Sequence, residues 1–336
     1  MSLAQSLIPV GVRRMAIALP TALGVVVLVA ASTPAPLAAE ELPPKFREAV
    51  DLFLAGDYKG CQIAFGRAAA EAPRAGLAAR AAYGAACCAA VRNDVDGGFE
   101  ALSLALANGF IDLERALTDP RLDTLRADSR WLHYVTLTQE RQQAHQKTLD
   151  PDLLRLYLER QTDLVSPDRD LPAAPLKSAP ESRTATYLAR ASARREEVWK
   201  LVEGGHAKQP DDAFHAAALL VESDRPAEVE RAAALARQAL AGNPDLLAAR
   251  PLVATAVDRA QMLAGKPQKY GTQLVEKGGV WTVYDVDPAV TDEARAEWGM
   301  PPIAAARARA AELNRPADAA PASPPPPPSP APPPPK

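Results

Sequence analysis

Proline is concentrated in a few stretches of this chain, and that unevenness decides where helices can run. Each proline removes a backbone donor and biases the residue before it away from the helical region. Among the 33 prolines, one dense group closes the chain in "PADAAPASPPPPPSPAPPPPK" and another lies in "SPDRDLPAAPLKSAP" (166–180). The runs between are rich in alanine, the best intrinsic helix former, and only 5% of residues are aromatic. Small side chains let helices approach closely, so the expected fold is mainly α. A length of 336 residues allows two ordinary domains once the ends are set aside. With a net charge of −3 and a pI near 5.9, nothing draws the chain to nucleic acid or to an anionic membrane.

Residues 1–39 have the parts of a signal peptide. Arg13 and Arg14 precede an apolar run from Met15 to Ala31, and small residues lead to the acidic pair Glu40–Glu41. Cleavage is expected after Ala39, which makes the protein exported, to the periplasm, cell envelope or medium. Pro20 interrupts the run, which is short for a membrane span. The alternative is an uncleaved anchor, the one route by which this chain would meet a membrane. The three cysteines, Cys61, Cys87 and Cys88, are expected to be buried free thiols; the alternative pairs Cys61 with Cys87 or Cys88.

Residues 40–140 contain a weak internal repeat. Gly56–Asp57–Tyr58 stands ahead of Phe65 and Ala68, and Asn93–Asp94–Val95 stands ahead of Leu102 and Ala105, an offset of 37 residues. Ala49 and Ala86 take matching small-residue positions. The pattern closes with "ANGFIDLERALTDPRLDTLRADSRW", which reaches Trp131. The stretch resembles a degenerate tetratricopeptide-like module, whose usual period is about 34 residues. That resemblance implies stacked helical hairpins and a protein or peptide partner held along them. Two clear repeats fall short of the roughly three that usually bury a continuous core, so later helices must complete the packing.

Residues 141–180 read as one more helix, with Leu153, Leu154, Tyr157 and Leu158 at helical spacing, followed by the proline-rich linker. Residues 181–315 form a second domain. Its run "RASARREEVWK" reads as a solvated helix face. Asp224 is the expected N-cap of the helix that begins near Pro226. A helix from Pro251 to Gly265 has Val253, Ala256, Val257 and Ala260 on one face, with Asp258 and Arg259 at its edge. The period then changes. "TQLVEK" and "VWTVYD" flank Gly278–Gly279, which predicts a two-residue hairpin turn with Lys277 opposite Val280 and Leu274 opposite Val283. Leu274, Trp281 and Val283 share a face, expected to pack on the preceding helices. The fold class is therefore mainly α: tetratricopeptide-like hairpins plus a small helical domain with one two-stranded β-hairpin. Residues 316–336 cannot form a core and read as a disordered, extended tail.

The second domain resembles an uncharacterised bacterial domain family marked by a D-R pair, a G-x-P-Q-x-Y-G-T-Q turn, a short hairpin and a terminal G-(L/M)-P-P helix. The matching residues are Asp258–Arg259, Gly265, Pro267–Gln268, Tyr270–Gly271–Thr272–Gln273 and Gly299–Met300–Pro301–Pro302. The resemblance implies no activity. Where family members often have "Q-H-A-D", this chain has "LLVESDRP", with Glu222 and Asp224 and no histidine.

Asp258, Arg259, Gln268, Tyr270, Thr272 and Gln273 are the candidate ligand-binding residues. Their side chains either satisfy the backbone of their own turn or surround a small pocket. In the pocket, Arg259 would hold a carboxylate or phosphate and Asp258 would act as a base or orient the arginine. No complete catalytic constellation is present, and the catalytic residues are unassigned. The four histidines, His133, His145, His206 and His215, share no metal-ligand spacing, and no cofactor or metal is expected. The leading expectation is a non-enzymatic binding or scaffolding protein. The alternative is a small-ligand-binding or hydrolase-like activity centred on Arg259 and Tyr270–Gln273.

Overall fold

A computed structural model describes residues 25–27, 43–165 and 180–315. The expected signal peptide (apart from 25–27), the body of the linker and the proline-rich tail lie outside the described residues. The chain is mainly α-helical with one β-hairpin.

The first core is built by α1 (Pro44–Leu54), α2 (Tyr58–Ala70), α3 (Ala75–Val91), α4 (Val95–Ala107), α5 (Leu113–Thr118), a 3₁₀ turn (Pro120–Leu122), α6 (Asp123–Arg126) and α7 (Arg130–Gln146). Helices α2 and α4 begin and end 37 residues apart. Each is entered the same way. Gly56 (φ 79°) and Asn93 (φ 63°) take left-handed backbone, and then Asp57 and Asp94 cap the helix by accepting the N–H of Gly60 and Gly97. Ala49 and Ala86 are fully buried. The bulk comes from Phe46, Phe65, Tyr83, Leu102, Phe110, Leu122, Leu125 and Trp131. Asp119 holds the closing segment: its carboxylate accepts the Tyr83 hydroxyl at 3.0 Å and the Arg121 guanidinium, while Arg126 donates to the Asp119 carbonyl at 2.8 Å.

The expectation of three free thiols is corrected. Cys61 on α2 and Cys88 on α3 form a disulfide, with Cα atoms 6.0 Å apart, and Cys87 is the buried free thiol. Successive helical residues point about 100° apart. Cys88 therefore faces α2, whereas Cys87 faces Asp119, its sulfur 3.8 Å from the carboxylate. Burial pushes the Cys87 thiol up to about 12.

The second core comprises α8 (Pro151–Val165), α9 (Pro180–Glu203), α10 (Pro210–Leu220), α11 (Pro226–Gly242) and α12 (Ala249–Leu263). The helix expected before the linker is α8, and its Leu153 and Leu156 share a core with Val198, Leu219, Leu235 and Val253. Its buried stripe runs Leu153, Leu156, Arg160, Asp163, and Leu158 is 47% exposed. The solvated face expected on α9 is corrected in the same way, because Arg194 is buried and paired with Asp163. The two cores touch through an ion pair between Arg74 and Asp245 (2.9 Å), and within the second core Asp150, at the start of α8, pairs with His206 (2.8 Å).

The hairpin has the expected register. In β2 (Gln273–Lys277) and β3 (Val280–Val283), Lys277 faces Val280, Glu276 faces Trp281, Val275 faces Thr282 and Leu274 faces Val283. Gly278 and Gly279 both have positive φ, as the tight turn requires. A three-residue strand, β1 (Val25–Val27), lies antiparallel to the other edge of β2. The chain ends its described part with α13 (Asp292–Ala296) and α14 (Ile303–Leu313). Here the expected packing is corrected: Leu274, Trp281 and Val283 are covered by Ala310 and Leu313 of α14, which follows the hairpin, while α12 lies against β2. Just past α14, the Asn314 side chain accepts the Trp281 N–H (2.7 Å) and donates to the Trp281 carbonyl (2.8 Å). It satisfies an edge-strand residue in both directions.

Candidate functional site: the helix-to-hairpin junction

Helix α12 ends at Leu263, and Gly265 (φ 67°) turns the chain into Pro267–Gln273. Asp258 and Arg259 are not at the edge of an apolar stripe. They are fully buried, because α12 is covered on several sides. The Asp258 carboxylate accepts four hydrogen bonds: the N–H groups of Lys269 (2.7 Å), Tyr270 (2.8 Å) and Thr272 (2.9 Å), and the Thr272 hydroxyl (2.9 Å). Burial pushes its pKa up, and those four donors pull it down. With its lone pairs taken by the loop, Asp258 acts as a spool around which the loop is wound.

Gln268 and Gln273 complete the winding. The Gln268 amide donates to the carbonyls of Gln273 (3.0 Å) and Tyr284 (2.8 Å) and accepts the Gln273 N–H (2.8 Å). The Gln268 backbone bonds to Asp285 and Asp287. Gln273 donates to the Thr272 hydroxyl at 2.9 Å. The Tyr270 ring lies 6.1 Å from the Trp298 ring, centroid to centroid. Gly271 is required on two counts: its φ is 69°, and a Cβ there would lie 2.4 Å from Ile303 Cδ1 and 2.8 Å from Arg295 Nη1.

Arg295 joins the Tyr270–Gln273 turn to the Gly299–Pro302 turn. It is buried, donates from Nη1 to the Tyr270 carbonyl, and donates from Nη2 to the Pro301 carbonyl at 2.9 Å. One guanidinium thus ties Tyr270–Gln273 to Gly299–Pro302. The sequence reading missed this residue, because its acceptors are backbone carbonyls, which no residue type marks.

Arg259 points away from the junction. Its Nε donates to the Ser223 carbonyl (2.8 Å) and its Nη2 pairs with Asp224. Asp224 is therefore the partner of a buried arginine and not the N-cap of α11; Arg225 takes that place without a side-chain cap. Of the six candidate residues, the structure brings Asp258, Gln268, Tyr270, Thr272 and Gln273 together around their own backbone and sends Arg259 to another side of α12. There it joins charges that the sequence reading missed. Arg160 on α8 binds Glu222 through Nε (2.8 Å) and Nη2 (2.6 Å), and Asp163 pairs with Arg190 (3.2 Å) and Arg194 (2.5 Å) of α9.

The histidines are dispersed. His206 pairs with Asp150, and His215 stacks on Tyr157 with ring centroids 4.2 Å apart. Among the described residues no group of three His, Cys, Asp or Glu side chains is placed to hold a metal ion, and no helix is long and apolar enough to cross a membrane. Burial lowers the His215 pKa to about 4, against a weaker opposing pull from Asp211 and a push in the same direction from His145. The sign follows: between pH 6.5 and 4 the unfolded chain binds this proton and the folded chain does not. The stability contributed is complete above pH 6.5 and is lost as pH falls towards 4, about 3 kcal/mol in all. His215→Phe keeps the stacking on Tyr157 and is expected to remove that part of the pH dependence. Urea titrations of both chains at pH 7 and pH 4.5 measure it; parallel losses in the two would refute the assignment.

Compared with family models, curated proteins and solved structures, the chain matches none.

Proposed function

We propose that this is an exported, non-enzymatic binding or scaffolding protein of the bacterial periplasm or cell envelope, and that a protein or peptide partner docks on its first helical core. The repetition in that core carries the reading. Helices α2 and α4 are equal in length, each entered through a left-handed residue (Gly56, Asn93) and capped by an aspartate (Asp57, Asp94), 37 residues apart. Stacked hairpins of this kind present extended surfaces to partners, in line with the tetratricopeptide-like pattern of the sequence. On α1, Arg47, Glu48 and Asp51 are exposed beside half-buried Leu52 along a shallow groove, and Leu54 next to it is 77% exposed. The signal-like start supports export, and so does the Cys61–Cys88 disulfide, a bond that persists in oxidising compartments. The second reading, a small-ligand or hydrolase-like activity centred on Arg259 and Tyr270–Gln273, ranks lower, because those polar groups are engaged by backbone or by Asp224.

The test is crosslinking in the envelope fraction with the chain beginning at Glu40. A partner enriched by the native chain, and lost from an Arg47→Glu, Asp51→Lys, Leu54→Glu variant that keeps the native helix content, is the expected result. No specific partner, or equal capture by both chains, would overturn the proposal.

A further inference from the structure

We infer that the outer edge of β2 accepts an extended apolar peptide strand from a partner protein, and that Val25–Val27 closes this edge until residues 1–39 are removed. Strand β2 is paired on both sides. β3 lies along one edge, and Val25, Val26 and Val27 lie antiparallel to Val275, Leu274 and Gln273 along the other. Val25–Val27 falls inside the stretch expected to leave on export, so cleavage after Ala39 takes the strand away and bares the edge. The main-chain groups involved follow from the ladder. The Tyr284 N–H goes to the Gln273 carbonyl at 3.0 Å, on the β3 side. By the alternation of an antiparallel pair, Val275 and Lys277 also turn their main-chain groups to β3, and Leu274 and Glu276 turn theirs to the outer edge.

Three observations make this edge a binding surface. First, Gln273, Leu274 and Val275 are all buried. Leu274 packs with Trp281 and with Ala310 of α14, while the Gln273 side chain donates to the Thr255 carbonyl of α12. A strand covered on both faces has the surroundings of an interior strand, which has a neighbour on each edge. Second, the edge carries none of the usual protections. Gln273–Val275 has no charge, no proline and, in its unbroken register with β3, no bulge; Glu276 and Lys277 come only beyond it. Third, the segment seated there states the chemistry that is accepted, three consecutive β-branched residues. Directly opposite residues of an antiparallel pair share a face. A peptide residue opposite Leu274 therefore lies on the α14 side, and those opposite Gln273 and Val275 lie on the α12 side, so all three need to be apolar. A second copy of this chain is the poorer occupant, because its own β2 arrives with α12 and α14 on its two faces. The edge is separate from the groove on α1, and it rests on the export reading only for the removal of its present strand.

The experiment is residue-resolved hydrogen exchange on the full chain and on the chain beginning at Glu40, each with and without a synthetic peptide of residues 21–30 carrying added terminal lysines. In the shorter chain the Leu274 and Glu276 N–H groups are expected to exchange freely. The peptide is expected to slow both by at least about tenfold and to leave Val275, which faces β3, unchanged. The same peptide with Val26→Pro is expected to give no protection, because proline has no N–H for the Leu274 carbonyl. The full chain is expected to protect Leu274 without peptide. No protection by the valine peptide, equal protection by the proline peptide, or free exchange at Leu274 in the full chain would overturn the proposal. Protection in the shorter chain that rises with its own concentration would overturn it too, and would assign the edge to a second copy. N-terminal sequencing of the protein from the envelope fraction tests export separately. A start at Met1 would refute the removal of the strand, and the peptide result on the shorter chain would still decide the edge.

Discussion

Replacing Asp258 with alanine is expected to destabilise the second core by about 3–5 kcal/mol, the largest effect of any single substitution in the junction. The carboxylate holds three backbone N–H groups and one hydroxyl, all within 2.9 Å. Alanine leaves the buried Thr272 N–H and hydroxyl and the half-buried Lys269 and Tyr270 N–H groups without this acceptor, and a buried orphan costs about 1–3 kcal/mol. Relief of the carboxylate's own desolvation offsets part of that loss. Asp258→Asn gives an intermediate result on geometric grounds. One oxygen still accepts from Lys269 and Tyr270, but an amide NH₂ then meets the N–H of Thr272, donor against donor. Urea unfolding followed by hydrogen exchange in residues 265–286 measures both. Native-like protection of the hairpin in Asp258→Ala would show that the loop does not depend on its spool.

Loss of the Cys61–Cys88 bond is expected to cost the first core about 3.5 kcal/mol, the chain-entropy value for cross-linked residues 27 apart. The bond ties α2 to α3 at the centre of the repeat, so the loss should appear as faster exchange across both helices. A Cys61→Ala, Cys88→Ala double variant is the clean comparison, because Cys87 cannot then re-pair. Single replacements leave two thiols. In Cys61→Ala the pair that remains is adjacent on one helix, and its two side chains point about 100° apart. Equal stability of the double variant and the native chain under oxidising conditions would refute the bond's role.

Much of the fold was legible in the sequence, and particular residues show why. Gly278–Gly279 between two β-rich runs gave the hairpin register residue by residue, since turn length sets pairing outward from the turn. The 37-residue offset between Gly56–Asp57–Tyr58 and Asn93–Asp94–Val95 is matched by two helices with the same spacing, each capped by its aspartate through a local bond made within three residues. The candidate site was only half legible. Asp258, Gln268, Thr272 and Gln273 belong together, and the polar density of the stretch pointed to them. Whether they face a ligand or their own backbone depends on the path of a loop that Asp258 reaches from 11 to 14 residues away.

The misreadings have a common cause. Apolar periodicity places the stripe on α8 at Leu153, Leu154, Tyr157 and Leu158; Leu153 is buried and Tyr157 packs on the core, but Leu158 is exposed and the buried positions after Leu156 are Arg160 and Asp163. The face on α9 was judged solvated for the same reason, since Arg194 is charged and yet buried against Asp163. Asp224 was taken for a cap because its position suits one, whereas its carboxylate goes to Arg259 across 35 residues. A charged side chain is assigned to solvent by default, and only a partner brought from elsewhere in the chain reverses that assignment.

The sequence by itself determined the mainly helical class, the hairpin and its register, and the polar stretch at the junction. These rest on caps, glycine conformations and side-chain periods, all of which act over a few residues. The tertiary structure alone decided that Cys61 pairs with Cys88, that α14 covers the hairpin, that Asp258 winds the junction loop around itself, and that Arg160 pairs with Glu222, Arg194 with Asp163 and Arg259 with Asp224. Each of these joins residues distant in sequence, and the free energy that selects a partner comes from burial, which no local pattern encodes.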